Sequence, residues 1–95
     1  MKIRWAETAD ADLDHIIWRI AEDSVTAALR MQDRIEAAVQ RLDRMPRRTR
    51  VGRLPDTREL IVARSPYVVV FKVGSDGIDV IRVLHGAQDW PPKES

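Results

Sequence analysis

Residues Tyr67–His85 restrict the fold of this chain more than any other stretch. They read YVVVFKV, then GSDG, then IDVIRVLH. Two apolar runs rich in β-branched residues, joined by a short loop of glycine, serine and aspartate, predict an antiparallel hairpin. The first run, Tyr67–Val73, is apolar at nearly every position, so it is expected at the centre of a sheet with both faces covered. Another strand is expected at about Arg58–Ala63, ahead of a turn at Ser65–Pro66. The second run, Ile78–His85, is the last strand, and the segment from Gly86 onward is expected to be irregular.

The first half of the chain has a different period. Lys2–Trp5 alternates as a short strand does. Ala9, Leu13, Ile16, Ile17 and Ile20 then recur at helical spacing, with Thr8 as the expected N-cap and Asp10 and Asp12 in the first turn. This helix is expected to end near Glu22–Asp23. Ser24 is placed to cap a second helix. Its apolar stripe is Ala28, Met31, Ile35, Ala38, Val39, Leu42 and Met45, stopped by Pro46. The short connection folds the two helices back on each other. Arg47–Thr57 reads as a linker. The expected fold is α+β, of order β-α-α-β-β-β. A helical hairpin packs on one face of a mostly antiparallel four-stranded sheet. The other face is expected to be solvated or reserved for a partner. All 95 residues are expected to form a single domain, 1–95.

Composition removes several function classes. The chain has no cysteine, which excludes disulfides, thiolate metal sites and cysteine nucleophiles. Its two histidines have no carboxylate cluster in the sequence, so no metal is expected. No glycine-rich phosphate loop is present, and no cofactor or small-molecule substrate is expected. There is no apolar run long enough for a membrane span and no signal-peptide core, so a cytoplasmic location is expected. Net charge is +1, but residues 41–95 hold eleven basic and seven acidic residues, against five and eight in residues 1–40. Thirteen of the sixteen cations are arginine, a side chain suited to forked contacts with carboxylate or phosphate. The run from Arg41 to Arg53 is either a solvated helix end and loop or a surface that steers an acidic partner or RNA.

Five residues stand out. Strand parity places Arg82 with Ile78, Val80 and Leu84, an unusual setting for a charge. It pairs with a carboxylate, such as Glu59, faces a groove, or does both. His85 closes the same strand, as a general acid or base or as an anchor for the tail. Arg58 and Arg64 share a face by parity and could join Arg82 around an anion. Trp18 lies off the apolar stripe of the first helix, as a rim residue or as a partner anchor. Trp5 is a further aromatic contact candidate. His15 is expected to be solvated.

A set of motifs then carries a resemblance. They are Gly52-Arg53, Pro55, Thr57-Arg58-Glu59-Leu60, the run Pro66–Phe71, and Ile81–Pro91 with its Arg82, His85 and Trp90. Together with Ala9, Leu13 and Ile16 they make the chain resemble the ParE/RelE superfamily of toxins from type II toxin–antitoxin modules, over nearly its whole length. The resemblance implies a RelE/ParE-like fold, a plasmid-stabilisation type of module and a cognate antitoxin as partner. RelE-like members are similar to ribonucleases that cut mRNA on the ribosome. That reading would use Arg58, Arg82 and His85, with Arg82 holding phosphate and His85 moving a proton. ParE-like members are understood to poison DNA gyrase. The loop before Arg58 lacks the lysines of the RelE pattern, and no C-terminal tyrosine follows His85; the only tyrosine, Tyr67, starts an earlier strand. The resemblance therefore favours the gyrase-inhibiting branch, with no catalytic residue. Partner contacts are expected at Trp5, Trp18, Arg58 and Arg82.

Overall fold

The structure, a computed structural model, describes residues 2–44 and 49–92. The elements are β1 (Lys2–Trp5), α1 (Glu7–Ala21), α2 (Val25–Gln40), β2 (Thr49–Val51), β3 (Arg58–Ile61), β4 (Tyr67–Val73) and β5 (Gly77–His85). The sheet has five strands in the order β1-β5-β4-β3-β2. Only the β1–β5 pair is parallel. β4 is central and is buried from Val68 to Phe71, which matches its unbroken apolar run.

The extra strand, β2, comes from the segment read as a linker. It holds three residues, Thr49–Val51, paired with Leu60, Glu59 and Arg58. A strand that short and polar carries no usable alternation, and its existence depends on the partner it meets. Pro46, Met45, Arg47 and Arg48 lie outside the described residues; α2 itself ends at Gln40.

Helix α2 starts as expected, with the Ser24 hydroxyl accepting from Ala27 N at 3.1 Å. Helix α1 does not. Its N-cap is Ala6, and Thr8 lies inside the first turn, where its hydroxyl donates to the Ile81 carbonyl at 2.7 Å. Ala9 and Leu13 from α1 and Ile35, Val39 and Leu42 from the α2 side meet Leu60, Val62, Val69, Phe71, Ile78, Val80 and Val83. This is the core. Burying these side chains contributes about 1.5–3 kcal/mol for each large one.

The outward face is not wet at its centre, contrary to expectation. Val68, Val70, Leu84 and Glu59 are also buried there, and Ile61 is half-exposed.

Gly77 is where β1 can dock. A Cβ at this position would run into the carbonyl of Lys2, its parallel partner. The Gly77→Ala change is expected to cost about 1–3 kcal/mol by forcing the two strands apart. Hydrogen exchange at Lys2–Trp5 should accelerate more than elsewhere, and uniform exchange would contradict this reading. Arg4 reinforces the docking by bonding Asp79 at 2.7 Å and Asp76 at 3.2 Å. Both pairs are exposed, so their contribution is small.

Candidate functional site

β5 contains a bulge that decides where its arginine points. Phe71 pairs with Val80, but Val70 pairs with Arg82, so Ile81 is an extra residue. The strand's parity reverses there. Ile78, Val80 and Val83 face the helices, while Arg82 shares a row with Val70 and Glu59. Simple alternation would have put Arg82 in the core and Val83 outside it. The bulge exchanges the two.

β1 covers only Gly77–Val80 of the β5 edge. The start of α1 covers the rest. Ala6 N donates to Val80 O at 2.9 Å, Thr8 to Ile81 O, and the Val83 N–H to Asp12 Oδ2 at 2.9 Å. The same carboxylate takes a forked contact from Arg82, Nε at 2.6 Å and Nη2 at 3.1 Å. Hydrogen bonding to Asp12 raises the Arg82 guanidinium above its ordinary value. Its carbon also lies 5.2 Å from the centroid of the Trp90 ring, within cation–π range. So Arg82 pairs with Asp12, not with Glu59.

Glu59 has its own partners. Arg50 donates to it from Nε and Nη2, and Arg53 from its backbone N–H, Nε and Nη2, all between 2.9 and 3.2 Å. The carboxylate is fully buried, although both guanidinium groups reach solvent. Burial pushes the Glu59 carboxyl up, but the hydrogen bonds from Arg53 and Arg50 outweigh it. The group lies below its ordinary value of 4.5. The clamp holds the loop 52–57 against β3. That loop closes through Gly52 N to Thr57 O at 2.7 Å, where any side chain at Gly52 would collide with Thr57. Neighbouring Arg58 donates to Thr49 Oγ1 at 3.0 and 3.2 Å across the β2–β3 pair.

His85 is exposed at the end of β5. Its Nδ1 accepts from Ala87 N at 3.1 Å, and its ring meets Tyr67 edge-on at 5.8 Å. With Nδ1 accepting, a neutral ring carries its proton on Nε2, so neither ring nitrogen of the neutral form is free to abstract a proton. Tyr67, His85, His15, Arg19 and the Asp12–Arg82 pair border a cleft of about 640 Å³. Among the described residues no group of three potential metal ligands is present.

The structure thus brings His85 and Arg82 to one cleft and leaves Arg58 elsewhere. Arg58 opposes Phe71 and His85 opposes Tyr67, on strands either side of β4. Four residues along a strand and two strand spacings put them roughly 16 Å apart. Arg64 lies in the turn after β3 with φ of 58°, and its carbonyl accepts from Arg34 at 2.8 Å. Trp18 is 74% exposed, whereas Trp5 packs against the core. Asp12 and the Arg50–Arg53 clamp escaped the sequence reading. The one available signal was a glutamate within a strand, between Arg58 and Leu60, shortly after Arg50 and Arg53.

Relatives place this geometry in context. The chain is 38% identical over 90 residues to the Y4kP protein of Sinorhizobium fredii, covering 95% of this chain and 93% of that one. It is 33% identical over 87 residues to Toxin RelE2 of Caulobacter vibrioides, covering 92% and 97%. A chain of the chromosomal ParDE toxin–antitoxin system of P. aeruginosa superposes with a TM-score of 0.77 at 25% identity, covering 90% and 95%. The RelBE2 toxin–antitoxin complex of Mycobacterium tuberculosis contains the same fold, with a TM-score of 0.57 at 24% identity, covering 88% and 95%. Two helices on a mixed sheet, with these relatives, define the class: a toxin of a type II toxin–antitoxin system. The family model described as ParE toxin of type II toxin-antitoxin system, parDE, matches residues 3–90. The chain belongs to that ParE toxin family within the ParE/RelE superfamily.

Proposed function

We propose that this toxin acts by binding a protein target, DNA gyrase, and not by cutting RNA, and that a cognate antitoxin neutralises it. The observation that carries the reading is the separation of Arg58 from the cleft that holds Arg82 and His85. Cleavage by a 2′-hydroxyl needs a base, phosphate-binding cations and an acid converging within hydrogen-bond reach of one phosphodiester. Here Arg58 serves Thr49, Arg82 serves Asp12, and His85 stands roughly 16 Å from Arg58 by strand spacing. Each does structural work where it is. Membership of the ParE family supports gyrase as the target.

A binder also needs exposed anchors. Trp18 is exposed on α1, and Val25 and Leu29 are exposed on α2. Tryptophan is among the residues that dominate binding energy at protein interfaces, which makes Trp18 the leading anchor. Trp5 and Arg82 then act in partner binding only through the surfaces they support, and Arg58 through the β2–β3 pair.

The test is induced expression with two readouts, supercoiling by gyrase and cleavage of ribosome-bound mRNA. Toxin-dependent loss of supercoiling, with mRNA intact, is expected. His85→Ala should leave growth arrest within about twofold of the parent, because the exposed ring carries no transition-state role. Loss of arrest in His85→Ala, together with mRNA cleavage by the parent, would establish the ribonuclease instead.

A further inference from the structure

Positive charge is concentrated in one segment of the chain. Residues 41–58 hold seven arginines and two aspartates, with no lysine, histidine or aromatic residue among them. The other 77 residues hold nine basic and thirteen acidic ones. A net charge of +1 therefore conceals a cationic segment on an acidic body. The fold keeps that segment at one edge. Arg41 and Leu42, at the end of α2, border the same cleft as Leu60. Leu60 pairs with Thr49 of β2, the last strand in the sheet order.

Four of these arginines reach solvent in two different ways. Arg41 and Arg44 follow the last turn of α2, exposed and without an ion-pair partner among the described residues. Arg50 and Arg53 are held in place instead. Glu59 takes each by its Nε and Nη2 atoms, and both Nη1 groups are left without a partner among the described residues. The two side chains are still 51% and 37% exposed. One carboxylate offsets only one of the two positive charges. A guanidinium fixed by its inner edge presents its outer donors with little rotamer freedom left to lose on binding. Asp43 and Asp56 are exposed and bridge none of these arginines.

The composition of the segment selects the kind of anion. Planar forked donors suit phosphate oxygens. Recognition of single strands relies on aromatic side chains that stack unpaired bases, and residues 41–58 supply none. A duplex offers its phosphates with the bases still stacked, at one charge per about 1.7 Å of axis. The acidic remainder of the chain is repelled by the same duplex, which turns the basic edge toward it.

We propose that the β2 edge is a contact surface for the phosphate backbone of duplex DNA, with Arg41, Arg44, Arg50 and Arg53 as the phosphate-binding groups. Contacts to phosphate carry no base readout, so binding is independent of sequence. The surface goes beyond gyrase binding: a toxin seated on an enzyme that handles DNA gains a second, linked hold on the complex.

The test is fluorescence anisotropy with the purified full chain and a labelled duplex of mixed sequence, between about 50 and 200 mM salt. Four phosphate contacts predict that log affinity falls against log salt with a slope of roughly −4. Arg41→Gln with Arg44→Gln should weaken binding by about tenfold or more at low salt and reduce the slope by about two. Arg41→Lys with Arg44→Lys should stay within about threefold of the parent, because counterion release follows charge. Both positions are exposed, so thermal melts of these variants should match the parent. A duplex of scrambled sequence should bind equally well.

A parent chain that does not bind duplex at low salt overturns the proposal. So does unchanged affinity and slope in the double glutamine variant. Tighter binding of a uridine-rich single-stranded RNA than of the duplex makes the edge an RNA site and overturns it as well. Supercoiling by gyrase is measured on the same preparations. Duplex binding with the predicted slope, by a parent that leaves supercoiling untouched, supports the DNA contact and overturns the gyrase reading alone.

Discussion

Replacing both Arg50 and Arg53 with alanine is expected to lower unfolding free energy by about 3–5 kcal/mol, the cost of leaving a buried carboxylate without its cations. Glu59 is fully buried and takes its side-chain hydrogen bonds from these two residues. Glu59→Ala should cost less, about 2–4 kcal/mol, because the stranded guanidinium groups are already part-exposed and rehydrate. Chemical denaturation at neutral pH would read this order, and an equal or inverted order would mean that the loop is not held by the carboxylate. The clamp also sets an acid limit. The folded carboxyl lies below its ordinary 4.5, so the stability it contributes is fully present above that value. It is lost as the pH falls through the lower folded value. Glu59→Gln should flatten the acid limb of the stability curve. An unchanged limb would assign acid sensitivity to another group.

Asp12→Ala is the second large effect, expected at about 2–4 kcal/mol. One carboxylate satisfies both the Arg82 guanidinium and the Val83 N–H. Its removal leaves a part-buried cation with only the Trp90 face and a strand-edge donor without its acceptor. Because α1 reaches β5 through this contact, amide exchange at Val83 should rise along with the drop in stability. Arg82→Ala should be milder, since Asp12 keeps the Val83 N–H. If Arg82→Ala proves as damaging as Asp12→Ala, the forked ion pair and not the edge bond holds the helix. Toxicity per folded molecule should be unchanged in both variants, because the pair acts only through stability.

Much of this molecule is legible in its sequence. The run Tyr67–Val73 identified the central strand because burial on both faces demands apolar residues at both parities. Gly74–Gly77 identified the hairpin, and Ser24 the start of α2, because each is a local device whose partners lie within a few residues. Trp18 was legible as an exposed aromatic because it stands off the helical stripe. Thr8 misled for an instructive reason. It has the chemistry of an N-cap, but a carbonyl on β5 claimed its hydroxyl once the helix was packed.

What the sequence by itself determined is the order of elements, the central hairpin, the apolar faces and the family, all carried by short-range periodicity and motif. Tertiary structure alone decided the fifth strand, the bulge at Ile81 and the destination of each charge. The physical reason is separation along the chain. Asp12 and Arg82 are 70 residues apart, and only the docking of α1 on the β5 edge brings them within 2.6 Å. The bulge inverts strand parity, so no alternation rule could place Arg82 on its proper face. The same local letters that suggested a catalytic arginine and a catalytic histidine therefore describe, once folded, a strand edge held by a helix and a cleft bordered by the last strand.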